Sequence, residues 1–126
     1  MGQGAWQMHE TKGFKQLGVW QKAYKLTLDI YKLTKRFPKE ETYGLVSQLQ
    51  RAAVSVPANI AEGYDRNHRR EYIQFLHIAK GSLAEVETYL ALALDLAYID
   101  KELYDDIENT REETGRMLNG LIKSLT

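Results

Sequence analysis

No cysteine occurs in this chain of 126 residues. Disulfides, thiolate metal sites and cysteine nucleophiles are therefore excluded, and the composition suits a reducing cytoplasm, which is the expected compartment. Proline is scarce, occurring only at Pro38 and Pro57. Net charge is zero, with 17 basic and 17 acidic residues. That balance argues against an unselective nucleic-acid binder, which is usually basic overall. Long apolar runs are missing as well. The longest apolar-rich stretch, Tyr89 to Ile99, is interrupted by Asp95 and is shorter than the ~20 residues a membrane-spanning helix needs, so no membrane association is expected. Residues 1–8 have neither the basic start nor the apolar centre of a signal peptide. They read as part of a flexible leader, 1–13, with Met8 as a second candidate start, ahead of one domain over 14–126.

The zero balance hides an asymmetry. Residues 1–80 hold 13 Lys/Arg and 7 Asp/Glu, a net +6, and residues 81–126 hold 4 and 10, a net −6. Such a split suits a basic face, or subunits that pair basic surface with acidic surface.

What remains is helical periodicity. Scattered glycines and the lack of sustained alternation predict an all-α chain. Val19, Ala23, Leu26, Ile30, Leu33 and Phe37 recur at steps of four and three, and Trp20, Tyr24 and Tyr31 widen that stripe. Phe37-Pro38 stops this first helix, because a residue before proline avoids the α region. A second helix is expected from about Glu40–Thr42 to Gly63, with Gly63 as its C′ residue and Leu45, Leu49, Ala52, Ala53, Val56 and Ile60 along its apolar side. Asp65 or Asn67 is placed to cap a third, in which Tyr72, Leu76, Ala79, Leu83, Val86, Leu90, Ala93 and Ala97 keep the spacing. Asp100 is placed to cap a fourth, carrying Leu103, Ile107, Thr110, Thr114, Met117, Leu121 and Leu125. Short connections make neighbours antiparallel, so the expected fold is an up-down-up-down four-helix bundle.

Two features exceed the needs of a monomeric bundle. Along the second helix Gln48, Arg51, Ser55, Asn59, Glu62 and Arg66 line one side at steps of three or four. This stripe is either a solvated face or a partly buried hydrogen-bond network and subunit contact. Within it Pro57 deprives the Ala53 carbonyl of its helical partner. Either the helix bends there, the favoured reading, or Ser55 caps a new helix with Pro57 in its first turn. The second feature is apolar. Tyr89, Leu92, Leu96 and Ile99 form a second stripe on the third helix, and Leu118 and Ile122 one on the fourth. A helix apolar on several sides is buried on several sides, which here implies another subunit.

Catalytic and metal patterns are missing. Di-iron bundles use Glu-x-x-His pairs, but Asp65 stands before His68 and Gln74 before His77. Glu85 and Glu87 point to different helix faces, and Ser55 and Ser82 lack a histidine at motif spacing. No catalytic residue, metal site or cofactor is expected. Basic residues do cluster. Lys22, Lys25, Lys32, Lys35, Arg36 and Lys39 lie along the first helix and its end, and Arg66, His68, Arg69 and Arg70 at the next turn. Phosphate contacts need such groups on one face. The candidates for nucleic-acid contact are Arg66, Arg69, Arg70, Lys35 and Arg36, weighed against an ordinary solvated lysine face.

Several motifs together carry a resemblance: Leu17-Gly-Val-Trp20, Phe37-Pro38, Tyr43-Gly-Leu45, Arg51-Ala-Ala53, Ser55-Val-Pro-Ala-Asn-Ile-Ala-Glu-Gly63 and Gly81-Ser-Leu83. Over roughly residues 14–100 the chain resembles the four-helix-bundle family encoded within intervening sequences of bacterial 23S ribosomal RNA genes. The resemblance implies a ring, of five subunits, and no established reaction. It extends distantly to the accessory variability protein of diversity-generating retroelements, implied to bind nucleic acid and a reverse transcriptase through a strongly basic surface. This chain departs from that surface by its neutrality. The function expected is a non-catalytic oligomeric scaffold whose partners are further copies of itself and RNA or DNA. The alternative is a structural or protein-interaction module with a protein partner and no nucleic-acid role. A small enzyme is the third reading.

Overall fold

A computed structural model describes residues 13–126; the expected leader, Gly13 apart, lies outside them. Among these residues are α1 (Gly18–Thr34), α2 (Leu45–Tyr64), α3 (Arg69–Asp95) and α4 (Lys101–Leu125), short 3-10 turns at Phe14–Gln16 and Lys39–Glu41, and no strand. Consecutive helices pack side by side, and α1 closes the bundle against α4. Paired contacts run in opposite senses along each neighbouring pair. Gln16 and Thr34 of the α1 arm meet Tyr64 and Gln50 of α2. Ser55 and Gln48 of α2 meet Ser82 and Tyr89 of α3. Leu83 and Glu87 of α3 meet Gly115 and Arg111 of α4, and Gly18 and Lys22 of α1 meet Met117 and Glu113 of α4. The four helices are thus antiparallel to their neighbours, as short connections dictate.

The core is the stripe that periodicity marks out: Leu26, Ile30, Leu49, Ile60, Leu76 and Leu90 are fully buried. The helix ends depart from expectation in instructive ways. α2 starts at Leu45, later than Glu40–Thr42, because Lys39–Glu41 closes into a 3-10 turn. Glu41 still acts on the helix: its Oε1 accepts the Leu45 N–H at 2.9 Å, satisfying a donor with no intrahelical partner. Gly63 is not a C′ residue. It lies inside α2 and is buried, and a Cβ there would stand 2.8 Å from the Phe75 Cβ and 3.0 Å from the Tyr72 ring. Its small size lets α2 and α3 approach at their shared end. Neither Asp65 nor Asn67 caps α3; His68 holds the N-cap position without a side-chain bond, and Asn67 instead takes the left-handed backbone, φ 61°, that turns the chain. Ala97 is not helical either. α3 ends in a Schellman motif, with Tyr98 N–H donating to the Ala93 carbonyl at 2.9 Å and Ala97 N–H to Leu94 at 3.0 Å, and Ala97 sits at φ 63° where glycine is usual. Asp100 does cap α4, accepting the Leu103 N–H at 2.8 Å.

Pro57 lies within one continuous helix, which sets aside a new helix capped by Ser55. The Ala53 carbonyl that Pro57 leaves without a partner accepts the Thr27 hydroxyl of α1 at 3.0 Å. That hydroxyl also stands 2.9 Å from the Ala23 carbonyl. It has one proton, and Ala23 already has its helical N–H partner, so the unmet demand is at Ala53.

Candidate interaction surfaces

The polar stripe of α2 divides. Ser55 and Asn59 are half-buried against α3: the Ser82 hydroxyl donates to Ser55 Oγ at 2.8 Å, and Asn59 Nδ2 donates to the same Oγ at 2.9 Å and to the Ser55 carbonyl at 2.8 Å. Gln48, Arg51, Glu62 and Arg66 are exposed. Tyr89 reaches Gln48 Oε1 through a long hydroxyl contact of 3.4 Å. These contacts lay the stripe beside the second apolar row of α3, so both sequence features occupy one face of the α2–α3 pair. Leu92 and Leu96 there are 44% and 50% exposed, and Ile78, on the same side of α3, is 51% exposed. Ile99 is instead buried, and Leu118 is fully buried. Of the second row on α4, Leu118 therefore belongs to the subunit's own core, and Ile122 packs against that core partly buried.

A second apolar surface was missed in the sequence. Tyr24 and Tyr31 do not widen the core stripe of α1; with Leu28 of α1 and Val54 of α2 they stand exposed. They lie about 100° or more around the helix from the Leu26–Ile30 stripe, beyond the reach of α2, and Trp20 stacks on Tyr24 with ring centroids 4.9 Å apart. Tyr43 is 96% exposed in the turn before α2. Its place beside Gly44, between two helices, was the available signal.

The basic candidates fall into two groups. Lys35 and Arg36 end α1, and Arg66, Arg69 and Arg70 flank the α2–α3 turn. The antiparallel fold puts these groups at opposite ends of the bundle, separated by α2, a helix of about 30 Å. Arg66 is already engaged: it contacts Glu62 at 2.9 Å and Glu71 at 3.8 Å and covers the Phe75 ring at 5.0 Å. Arg69, Arg70, Lys35 and Arg36 are exposed and have no carboxylate partner among the described residues.

Reactive chemistry has little to build on. The Ser55 and Ser82 hydroxyls face each other and an amide, with no base in contact. His68 and His77 are exposed; His9 lies outside the described residues. Among the described residues no group of three His, Asp or Glu side chains could hold a metal ion, and no helix is long and apolar enough to cross a membrane. The shifted ionisable groups have structural causes. The Arg111 guanidinium is held further into its charged form by a two-pronged hydrogen bond to Glu108, at 2.9 and 2.7 Å. Glu41 is held below the ordinary carboxylate value by the Leu45 N–H and the Tyr98 hydroxyl, the latter at 2.8 Å.

The profile of the 23S rRNA-intervening sequence protein family matches residues 15–120. The chain belongs to that family. A crystal structure of a protein of unknown function from the S23 ribosomal protein family of Bacteroides thetaiotaomicron superposes with a TM-score of 0.78 at 29% identity, covering 83% of this chain and 98% of the other. No curated protein matches the sequence. The matched span includes the segment around Pro57 and most of the four helices.

Proposed function

We propose that this family member is a non-catalytic helical scaffold that works as an assembly of copies of itself. The observation that carries this reading is the apolar surface left open on both flanks of α2: Tyr24, Leu28, Tyr31 and Val54 on one side, Ile78, Leu92 and Leu96 on the other. Large exposed apolar patches mark interaction sites. Two different patches suit a head-to-tail contact, which closes into a ring when the rotation permits; a ring of five is what the family resemblance implied. Light scattering at micromolar concentration tests it. The wild type should exceed the monomer mass, and Leu92→Glu with Leu96→Glu should return it to monomer with unchanged helicity. A monomeric wild type refutes the reading.

Nucleic-acid binding by the assembly is a second proposal. It is favoured by Arg69, Arg70, Lys35 and Arg36, which have no carboxylate partner among the described residues, and opposed locally by Asp65 and Glu71. Repetition around a ring multiplies a modest patch. RNA or DNA retention should fall steeply with salt, and Arg69→Ala with Arg70→Ala should lower both affinity and salt slope. No retention at low salt leaves a scaffold for protein partners alone.

A further inference from the structure

Gly120, in the last two turns of α4, has no packing role. A Cβ on Gly18 or Gly63 would meet a neighbouring helix, but a Cβ on Gly120 meets nothing within 4 Å. No glycine among the described residues takes a positive φ, so the backbone does not require one there either. Glycine weakens a helix interior, because it loses the most chain entropy on folding. What distinguishes this glycine is the residue before it, Asn119.

The other three asparagines of the chain precede Ile60, His68 and Thr110, whose side chains crowd the backbone nitrogen that follows the asparagine. Asn119 and Gly120 are both exposed. The Asn119 amide makes no side-chain hydrogen bond among the described residues. Asn59, by contrast, is held by its bonds to the Ser55 carbonyl at 2.8 Å and the Ser55 Oγ at 2.9 Å. Position 119 thus combines a free amide, an unshielded backbone nitrogen and open space beside both.

We propose that Asn119-Gly120 is a site of spontaneous deamidation, gated by opening of the C-terminal turns of α4. The Gly120 backbone nitrogen attacks Asn119 Cγ. The new N–C bond replaces the bond to the side-chain amide nitrogen, which leaves as ammonia with the proton displaced from Gly120. Water then opens the resulting cyclic imide at either carbonyl. One opening restores the peptide and leaves an aspartate at position 119; the other routes the main chain through Cβ as isoaspartate. One water enters, one ammonia leaves, and nothing is oxidised or reduced. The closed helix blocks the attack, because its Gly120 N–H is committed to the carbonyl four residues earlier. Helix ends open far more readily than cores, and Gly120 eases that opening. Either product then weakens the turn that formed it. A carboxylate near a helix C-terminus opposes the dipole, and the extra main-chain carbon of isoaspartate interrupts the hydrogen-bond ladder. Leu121, Ile122 and Leu125, which pack partly buried against the core, lie beyond that break.

Incubation of the full chain at mildly alkaline pH tests the proposal, read by peptide mapping in a mass spectrometer and by labelling with an isoaspartate methyltransferase. Asn119 should convert about threefold to thirtyfold more slowly than a free peptide of residues 116–123, the factor by which the closed helix protects it. Asn59 and Asn109, both within helices, should stay intact over the same period. Gly120→Ala should suppress the conversion, since it shields the nitrogen and strengthens the helix. Leu125→Ala removes packing from the last turn and should quicken it by about twofold or more; circular dichroism checks that both variants fold. The proposal is overturned by Asn119 reacting more than about thirtyfold more slowly than the peptide, or as fast as the peptide. It is equally overturned by Asn109 converting as fast as Asn119, or by a rate that ignores Gly120→Ala or Leu125→Ala.

Discussion

Thr27→Val probes the repair of the helix around Pro57. The substitution keeps the branched shape and removes the hydroxyl that donates to the Ala53 carbonyl at 3.0 Å. Ala53 itself is fully buried, and Pro57 supplies no N–H. Its carbonyl would then lose the donor that stands in for the missing N–H of residue 57. Leaving a buried acceptor unpaired costs about 1–3 kcal/mol. Thr27 is only half-buried, so water can reach part of the site, and the expected loss is about 1–2 kcal/mol. For a domain of this size that is a fall in Tm of roughly 3–10 °C. The effect must depend on Pro57. In a Pro57→Ala background residue 57 has an N–H again, the Ala53 carbonyl regains its helical partner, and Thr27→Val should cost less than about 0.5 kcal/mol. Urea unfolding of the wild type, both single variants and the double variant gives the coupling directly. A coupling of about 1 kcal/mol is expected. Equal losses in the two backgrounds would show that Thr27 does not serve the carbonyl that Pro57 leaves open.

Three other outcomes follow from the geometry. Gly63→Ala should destabilise by about 1–3 kcal/mol, although alanine is the better helix former, because the new methyl meets Phe75 and Tyr72; a gain in Tm would mean that α2 and α3 can part there at little cost. Ala97→Gly should stabilise by about 0.5–1 kcal/mol, since glycine accepts the left-handed backbone without the Cβ penalty and loses only part of that gain to chain entropy, and thermal unfolding reads the difference. Glu41 has a folded pKa below its ordinary value of 4.5, so its two hydrogen bonds contribute fully above that value and are lost as pH falls through the lowered one. Glu41→Gln should flatten the loss of Tm on acidification in that window, and an unchanged slope counts against the capping role.

Much of the bundle was legible in the sequence because helical spacing determines which side of a helix is apolar. Leu26, Ile30, Leu49, Leu76 and Leu90 could be assigned to the core from their positions alone, and Asp100 to a cap, since both depend on neighbours within a turn or two. Even the need for an outside donor at Ala53 followed from Pro57 and covalent structure. The donor did not, because Thr27 is distant in sequence and only the packing of α1 on α2 brings it there. The same limit explains the errors. Gly63 has the composition of a helix stop, and only the approach of Phe75 gives it another use. Leu118 and Leu92 are both outside the simplest core stripe, yet Leu118 is buried among the packed helices while Leu92 lies on a side of α3 that no helix covers. Periodicity specifies which side of a helix seeks burial; the packing of the helices on one another decides how much of it is buried.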